Sequence, residues 1–384
     1  MSNINIENTK SELHTHLMGM LSAHEFIKLL AKYSATIYWP MNTSEDENRQ
    51  IIDIKYLFKN EEAYMHAIRS ISIPIGEKRD YEEGLRDLYR NRSELLAHVI
   101  KEFAKTKGIS EEEASIYIHN DYFNRSVSEL IKNGVTYTEI SFANEDLIRA
   151  FILDDSLKSK INYTFLLCTQ RTNPVGPSMQ EKIRRAYDSG IAVGFDFMGM
   201  ETPILPDSKE LKKTGRESIY KKLKSVLEVL VECESSVLRF HSGESKGSEY
   251  NTEIIFRIID EIKAEKGYKD FPPPEFRVGH GIHYCKTDYY YNFMRRNNVI
   301  VEINAVSNIA LSNIDSIDEL PYVDYLDNGI PIAISTDGHG AYSTATIIED
   351  KIAYYNYLKL KRKEAYGELI NQESELIGRK TGKW

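Results

Sequence analysis

The sequence has little cysteine and no excess of positive charge. Its 384 residues include only Cys168, Cys233 and Cys285, which are too widely spaced for a Cys-x-x-Cys zinc site and odd in number for a disulfide framework. The formal net charge of −9 argues against general binding to nucleic acids or anionic membranes, because both need a broad basic surface. The net charge does not exclude a local basic patch.

Long apolar runs are also missing. None approaches the roughly 20 residues of a membrane-spanning helix, and residues 1–10 are polar, without the apolar core of a signal peptide. We therefore expect a cytoplasmic protein with no membrane partner. With ten histidines and no paired cysteines, any metal site should use imidazole and carboxylate ligands.

Short β-rich runs alternate with helical segments along most of the chain. The runs cover residues 12–17, 135–142, 161–169, 191–197, 237–241, 276–280, 299–304 and 330–336. This alternation predicts an α/β fold, a closed parallel (β/α)8 TIM barrel, as a single domain over residues 1–384. A doubly wound open sheet is the alternative. The barrel is favoured because every candidate ligand ends a strand, where barrels carry their chemistry.

Two helical regions lie outside the regular alternation. A helical insertion at about residues 20–131 follows the first strand. It could form a wall or lid over a site, or it could serve only as scaffold. The last predicted helix, residues 344–370, mixes tyrosines with lysines and arginines. A solvent-facing closing helix is favoured there over a binding site for an acidic partner.

The candidate metal ligands come from three distant parts of the chain. His14 and His16 stand two residues apart on the first strand and therefore point to the same face. His241 ends the fifth strand and Asp337 ends the eighth. Meeting in a barrel mouth, they would suit one Zn²⁺ per chain with an open position for water. Core histidines and a loop-capping aspartate are the alternatives.

Two further residues could move protons or stabilise charge. Zinc lowers the pKa of bound water to roughly 7, and Glu244 could take that proton and pass it to a substrate. His280, between Gly279 and Gly281, could orient the attacking hydroxide and stabilise the developing alkoxide. Glu244 could instead cap the next helix, and His280 could be a core histidine.

The order of these motifs resembles the adenosine deaminase family of zinc aminohydrolases. The motifs are His14-Thr15-His16, His241-Ser242-Gly243-Glu244, Gly279-His280-Gly281 and Ser335-Thr336-Asp337. Residues 134–139, 194–199 and 302–308 extend the resemblance over nearly the whole chain.

The resemblance implies hydrolytic deamination at C6 of an adenosine-like purine nucleoside or nucleotide, with release of ammonia and the 6-oxo product. It implies zinc ligation by His14, His16, His241 and Asp337, with Glu244 as proton shuttle and His280 beside the hydroxide. Gly199 would offer its backbone N–H to a ring nitrogen.

Two positions depart from the family pattern. The second of two consecutive family aspartates is Gly338 here, and the following His339 could donate to the purine N7 in its place. The polar residue near the ribose is replaced by Met18, which cannot hydrogen-bond a hydroxyl. Sugar recognition should therefore differ, and a 5′-modified nucleoside, a nucleotide or a non-nucleoside amine would each fit.

We therefore predict a zinc aminohydrolase of purine metabolism whose partner is a small-molecule purine nucleoside or nucleotide. A metal-dependent hydrolase of another heterocyclic substrate is one alternative, and a non-catalytic nucleotide-binding or assembly protein is another. Nucleic acid is not expected as a partner. Oligomeric state, native metal and pathway, whether salvage or defence, stay open.

Overall fold

A computed structural model describes residues 11–39, 50–202, 209–233, 236–268, 274–342, 347–361, 363 and 366. Its strands are β1 (Ser11–His16), β2 (Thr36–Trp39), β3 (Gln50–Asp53), β4 (Tyr137–Phe142), β5 (Asn162–Gln170), β6 (Ala192–Met198), β7 (Val237–Ser242), β8 (Glu275–His280), β9 (Ile300–Ile303) and β10 (Ile332–Ile334). Eight of them form one parallel sheet, in the order β1-β4-β5-β6-β7-β8-β9-β10. With helices between the strands, this confirms the predicted (β/α)8 TIM barrel.

The barrel closes where β1 meets the segment after β10. The Asp337 N–H donates to the carbonyl of His14 at 2.9 Å, and the His16 N–H donates to the carbonyl of Asp337 at 3.0 Å. Thr15 and Asp337 form a parallel bridge at this seam. Closure therefore joins two segments that carry predicted metal ligands.

The helices cover most of the remaining described chain. They are α1 (Leu17–Met20), α2 (Ala23–Tyr33), α3 (Ile54–Leu57), α4 (Glu61–Ile71), α5 (Tyr81–Lys107), α6 (Glu111–Lys132), α7 (Glu145–Ala150), α8 (Asp155–Lys158), α9 (Pro177–Asp188), α10 (Lys209–Leu230), α11 (Asn251–Lys266), α12 (Asp288–Arg296), α13 (Ala305–Ala310), α14 (Tyr322–Asp327) and α15 (Ile347–Lys361). Within these described ranges, no helix has the length and apolar character needed to cross a bilayer.

The segment between β1 and β4 contains α1 to α6 and the antiparallel hairpin of β2 and β3. Its longest helix, α5, begins at an Asp80 cap whose carboxylate accepts the N–H groups of Glu82 and Glu83. Gly108, at φ 67°, ends the helix in the left-handed conformation that glycine adopts without a steric penalty. Buried residues on one face of α5, among them Leu88 and Leu95, fix the helix on the domain.

Paired charges lie inside the barrel. Arg277 on β8 contacts Glu139 on β4, and these strands are not neighbours in the sheet, so the pair spans the barrel interior. Arg239 contacts Glu302 at 2.8 Å and Asp196 at 3.2 Å. All five side chains are fully buried. The attraction between the paired opposite charges offsets the cost of removing each charge from water.

Between β4 and β5 the chain forms two short helices, α7 and α8, and Asp154 stands at the N-cap position of the second. One sequence prediction needs correction. The closing helix α15 buries Tyr354, Tyr357 and Leu358 against the core, so it does not simply face solvent. The three cysteines are free and buried.

Candidate active site

The four predicted metal ligands come together at the carboxyl ends of their strands. The Nε2 atoms of His14 and His16 lie 3.8 and 3.4 Å from Oδ1 of Asp337. The ring centroid of His241 lies 4.6 Å from that of His14 and 5.0 Å from that of His16. All four residues are buried, and together they form a compact set of nitrogen and oxygen donors.

Neighbouring residues fix the orientation of His14. The Glu302 Oε2 lies 3.0 Å from Nδ1 of His14, which leaves Nε2 directed toward Asp337. A β-carbon at position 279 would lie 2.6 Å from Cε1 of the same imidazole. Glycine is therefore required there, because any larger residue would displace the ring.

The donor atoms have the character that a metal site requires. The Nε2 atoms of His14 and His241 are buried and make no hydrogen bond within the described part of the chain. Burial lowers the pKa of His14 and of His16 well below the usual histidine value, so both imidazoles are neutral. Neutral imidazoles with an adjacent carboxylate are suitable zinc ligands. The residues present therefore fit a divalent ion.

Asp196 belongs to this group, although the sequence analysis did not select it. Its Oδ1 lies 3.5 Å from Nε2 of His241, and His16, Asp196 and His241 form one of the clusters able to hold a metal ion. Burial alone would lower the pKa of His241, but the charge of Asp196 raises it overall. A lone aspartate between Phe195 and Phe197 in a buried strand was the available signal.

Glu244 lies beside the donors with its carboxylate fully enclosed. Burial raises its pKa to about 7, the range in which a carboxyl group can both accept and donate a proton at neutral pH. Tyr81, the first residue of α5, donates its hydroxyl hydrogen to Oε2 at 2.9 Å. The helical insertion therefore contacts the proposed proton carrier directly.

A second carboxylate organises the turn that carries Glu244. Glu201 accepts the backbone N–H groups of Gly243, Glu244 and Ser245 at 3.1, 2.8 and 3.3 Å. It also accepts the Asn251 side-chain amide at 2.8 Å. Sequence reasoning missed this residue, because nothing local links position 201 to a turn more than forty residues later.

His280 and Asp337 both adopt left-handed backbone conformations, at φ 73° and 65°. Such conformations are costly for residues with a side chain and persist where the surroundings hold them. His280 Nε2 lies 3.2 Å from Nδ1 of His241 and 3.6 Å from Oε1 of Glu244. Burial lowers the pKa of His280 to about 3, so its ring is neutral.

A cavity of about 530 Å³ opens onto the site. His16, His241, Glu244 and Asp337 line it together with Gly199 and Met18. Its other walls combine apolar side chains with arginines; they include Leu85, Phe142, Met198, Arg86, Arg90 and Arg171. The volume is typical of small-molecule sites.

His339 lies beside α6. It is not among the residues that line the cavity, and its Nε2 lies 3.8 Å from Oε2 of Glu129 on α6. The Glu129 carboxylate also accepts the backbone N–H and the hydroxyl of Ser22. Its surroundings lend no support to a purine contact from His339.

The glycine that replaces the expected second aspartate lies against α1. A β-carbon on Gly338 would lie 3.0 Å from the Cα of Gly19. A β-carbon on Gly19 would in turn lie 2.9 Å from the hydroxyl of Tyr89. Because the two backbones lie this close, a side chain at position 338 would require one of them to shift by a few tenths of an ångström.

Three comparisons relate the chain to known proteins. Residues 230–366 match a family model described as adenosine deaminase. The adenosine deaminase of Plasmodium gallinaceum is 25% identical over 362 residues, covering 90% of this chain and 81% of that protein. The adenosine deaminase of Clostridium acetobutylicum is 24% identical over 298 residues, covering 73% and 77%.

Among solved structures, the chain is similar to the N6-methyl-AMP deaminase of Arabidopsis thaliana. The TM-score is 0.56 at 16% identity, with 97% of this chain and 96% of that chain covered. At this identity the likeness supports the fold and leaves the substrate undetermined.

Proposed function

We propose that this adenosine deaminase-like amidohydrolase, a hydrolytic deaminase acting on purines, removes the 6-amino group of an adenine nucleoside or nucleotide. Water replaces the amino group, and the products are ammonia and the 6-oxo purine. The observation that carries the proposal is the position of Glu244. Its carboxylate lines the same cavity as His16, His241 and Asp337.

His14, His16, His241 and Asp337 would hold one zinc ion. When bound, this ion would act as a Lewis acid and lower the pKa of water to about 7. The proposal is supported by the buried, neutral state of His14 and His16 and by the unpartnered Nε2 of His14. It also agrees with the metal dependence of the adenosine deaminase family.

Glu244 would act as the proton carrier of the reaction. Its carboxylate would accept a proton from the attacking water and deliver it to a ring nitrogen of the purine. The hydrogen bond from Tyr81 holds Oε2, so Oε1 is the oxygen that faces His280. A pKa of about 7 suits both halves of this transfer.

His280 and Gly199 would position the reactants. The neutral His280 ring, 3.6 Å from Glu244, would hydrogen-bond the attacking oxygen and stabilise the developing charge. Gly199, at φ 93° on the cavity wall, would offer its N–H to a ring nitrogen. Met18 would contact the sugar side of the substrate, where no hydrogen bond from its side chain can form.

The test is ammonia release and an ultraviolet scan over a panel of adenosine, deoxyadenosine, adenine, AMP and 5′-modified adenosines. We expect turnover by the zinc-loaded wild type and a fall in kcat of at least about a hundredfold in Glu244→Gln, since general acid–base groups contribute 10²–10⁴-fold. Glu232→Gln, at an exposed ion pair with Arg184, is the matched control. Folded, zinc-replete protein that turns over no panel member would refute the proposal.

A further inference from the structure

One face of helix α5 forms a wall of the cavity. Leu85, Arg86, Tyr89, Arg90 and Ser93 all line it. Their spacing of three or four residues places them side by side along the helix. The wall therefore places two guanidinium groups and the hydroxyl of Ser93 along the cavity.

We propose that Arg86, Arg90 and Arg171 form a subsite for the phosphate of a nucleotide substrate. The inference rests on the proposed function, because it assigns the anionic part of the same substrate. Planar guanidinium groups with several N–H donors bind phosphate oxygens in pairs, with both charge and geometry matched.

The charge of the cavity differs from that of the chain. The formal net charge of the protein is −9. Yet the carboxylates that line the cavity, Glu244 and Asp337, both belong to the reaction centre, and the other charged side chains of its wall are arginines. Away from the reaction centre, an anionic group is therefore the complementary ligand.

An aspartate holds the two helical arginines near each other. Asp87 Oδ1 lies 3.1 Å from Nε of Arg86 and 3.1 Å from an amino nitrogen of Arg90. One carboxylate facing two guanidinium groups leaves one positive charge uncompensated in this trio. The side chains of Arg86 and Arg90 remain 57% and 54% exposed, so N–H donors stay accessible to a ligand.

Arg171 is held more firmly and follows strand β5. It donates to the carbonyl of His241 at 2.7 Å, and another of its nitrogens lies 3.8 Å from Glu201. Its Nε makes no hydrogen bond to any residue in the described ranges. The third guanidinium is thus fixed to the strand that carries His241, which sets its position relative to the reaction centre.

Met18 gives an independent reason for an anionic anchor. This residue lines the cavity near the start of α1, and its side chain cannot hydrogen-bond a sugar hydroxyl. A nucleoside would therefore lose polar contacts that fix its orientation. A phosphate held by arginines would restore that orientation from the other end of the substrate.

The experiment compares kcat/KM for adenosine, AMP, ADP and ATP in wild type, Arg86→Gln/Arg90→Gln and Arg171→Gln. We expect the wild type to prefer a phosphorylated substrate by at least about tenfold, as charge-assisted hydrogen bonds imply. Each variant should reduce the nucleotide-to-adenosine ratio by about 10- to 100-fold, mainly through KM. Arg184→Gln, an exposed arginine outside the cavity lining, should keep the wild-type ratio.

Preference for adenosine in the wild type, or an unchanged ratio in both arginine variants, would overturn the phosphate subsite while leaving the deaminase proposal intact. If no adenine compound is turned over, the deaminase proposal fails separately. Calorimetric titration with AMP then decides the subsite. Binding by wild type that weakens at least tenfold in Arg86→Gln/Arg90→Gln supports it, and binding that is absent or equal in both proteins refutes it. Melting curves of all variants establish that they are folded.

Discussion

At the scale of single residues, Glu244 is held by two side chains far from it in sequence. Tyr81 donates to its Oε2, and Glu201 accepts its backbone N–H. These two residues are themselves joined, because the Glu201 N–H donates to the Tyr81 hydroxyl at 3.2 Å. Tyr81 therefore fixes both the carboxylate and the residue that orders its turn.

We predict that Tyr81→Phe lowers kcat by about tenfold with little change in KM, since a hydrogen bond to a charged group contributes about 1.5–3 kcal/mol. Initial rates of ammonia release measure the effect. Tyr117→Phe on α6, at a residue that is 63% exposed, is the matched control and should behave as wild type. A Tyr81→Phe enzyme with wild-type kcat would show that this hydroxyl does not position the proton carrier.

At the scale of elements, α5 is tied to the barrel by one buried arginine. Arg92 is fully buried and donates to four backbone carbonyls, those of Ile71, Met18, Leu21 and Gly340. These carbonyls belong to the end of α4, to both ends of the turn around α1 and to the loop after β10. Arg92 therefore keeps the arginine-bearing face of α5 in a fixed position against the barrel mouth.

We expect Arg92→Met to lower the free energy of unfolding by about 3 kcal/mol or more, because buried carbonyls left without a donor each cost about 1–3 kcal/mol. Urea denaturation followed by circular dichroism gives the value. Arg184→Met at the exposed ion pair should change stability by less than about 1 kcal/mol. Equal midpoints for both variants would contradict this account of Arg92.

At the scale of the whole molecule, the barrel links its closure to the candidate metal centre. Asp337 carries both a closing backbone contact to β1 and a carboxylate 3.4 Å from His16. The network of buried charges inside the barrel extends to the candidate metal centre, because Glu302 contacts both Arg239 and His14. Binding of a metal ion would therefore stabilise the seam of the barrel as well as the site.

We predict that removal of metal by a chelator abolishes ammonia release and lowers the melting temperature by several degrees. A ligand present at about 1,000 times its Kd adds about 4 kcal/mol to stability. Calorimetry before and after chelation, and after zinc is restored, measures both the loss and the recovery. His14→Asn supplies the control, because its melting temperature should respond weakly to zinc. A wild-type protein that melts identically with and without chelator would refute the site.

The sequence alone predicted the barrel well. The run at residues 237–241 became β7, Val237–Ser242, and the alternation of strands and helices fixed the order of the others. The predicted strands also place His14, His16, His241 and Asp337 at the same end of the barrel, because parallel strands in a closed barrel present their carboxyl ends together. These inferences needed only local periodicity and one rule of topology.

A wall or lid over the site was one of the two interpretations of the insertion, but the residues that form the wall could not be predicted in this way. Tyr81, Arg86 and Arg90 come from a long insertion whose helical pattern gives no direction relative to the barrel. His339 comes directly after Gly338, which stands where the second aspartate was expected. Its Nε2 nevertheless lies 3.8 Å from Glu129 on α6. Contacts between segments a hundred or more residues apart have no local signal.

The sequence by itself therefore determined the architecture and the end of the barrel at which His14, His16, His241 and Asp337 meet, because periodicity of two in strands and the parallel barrel rule leave little freedom. Only the tertiary structure decided how Glu244 is held, how closely Gly338 packs against Gly19, and which helix faces the cavity. Those features depend on the packing of the insertion against the barrel mouth. Close contacts such as Gly19 with Gly338 exist only after the chain has folded.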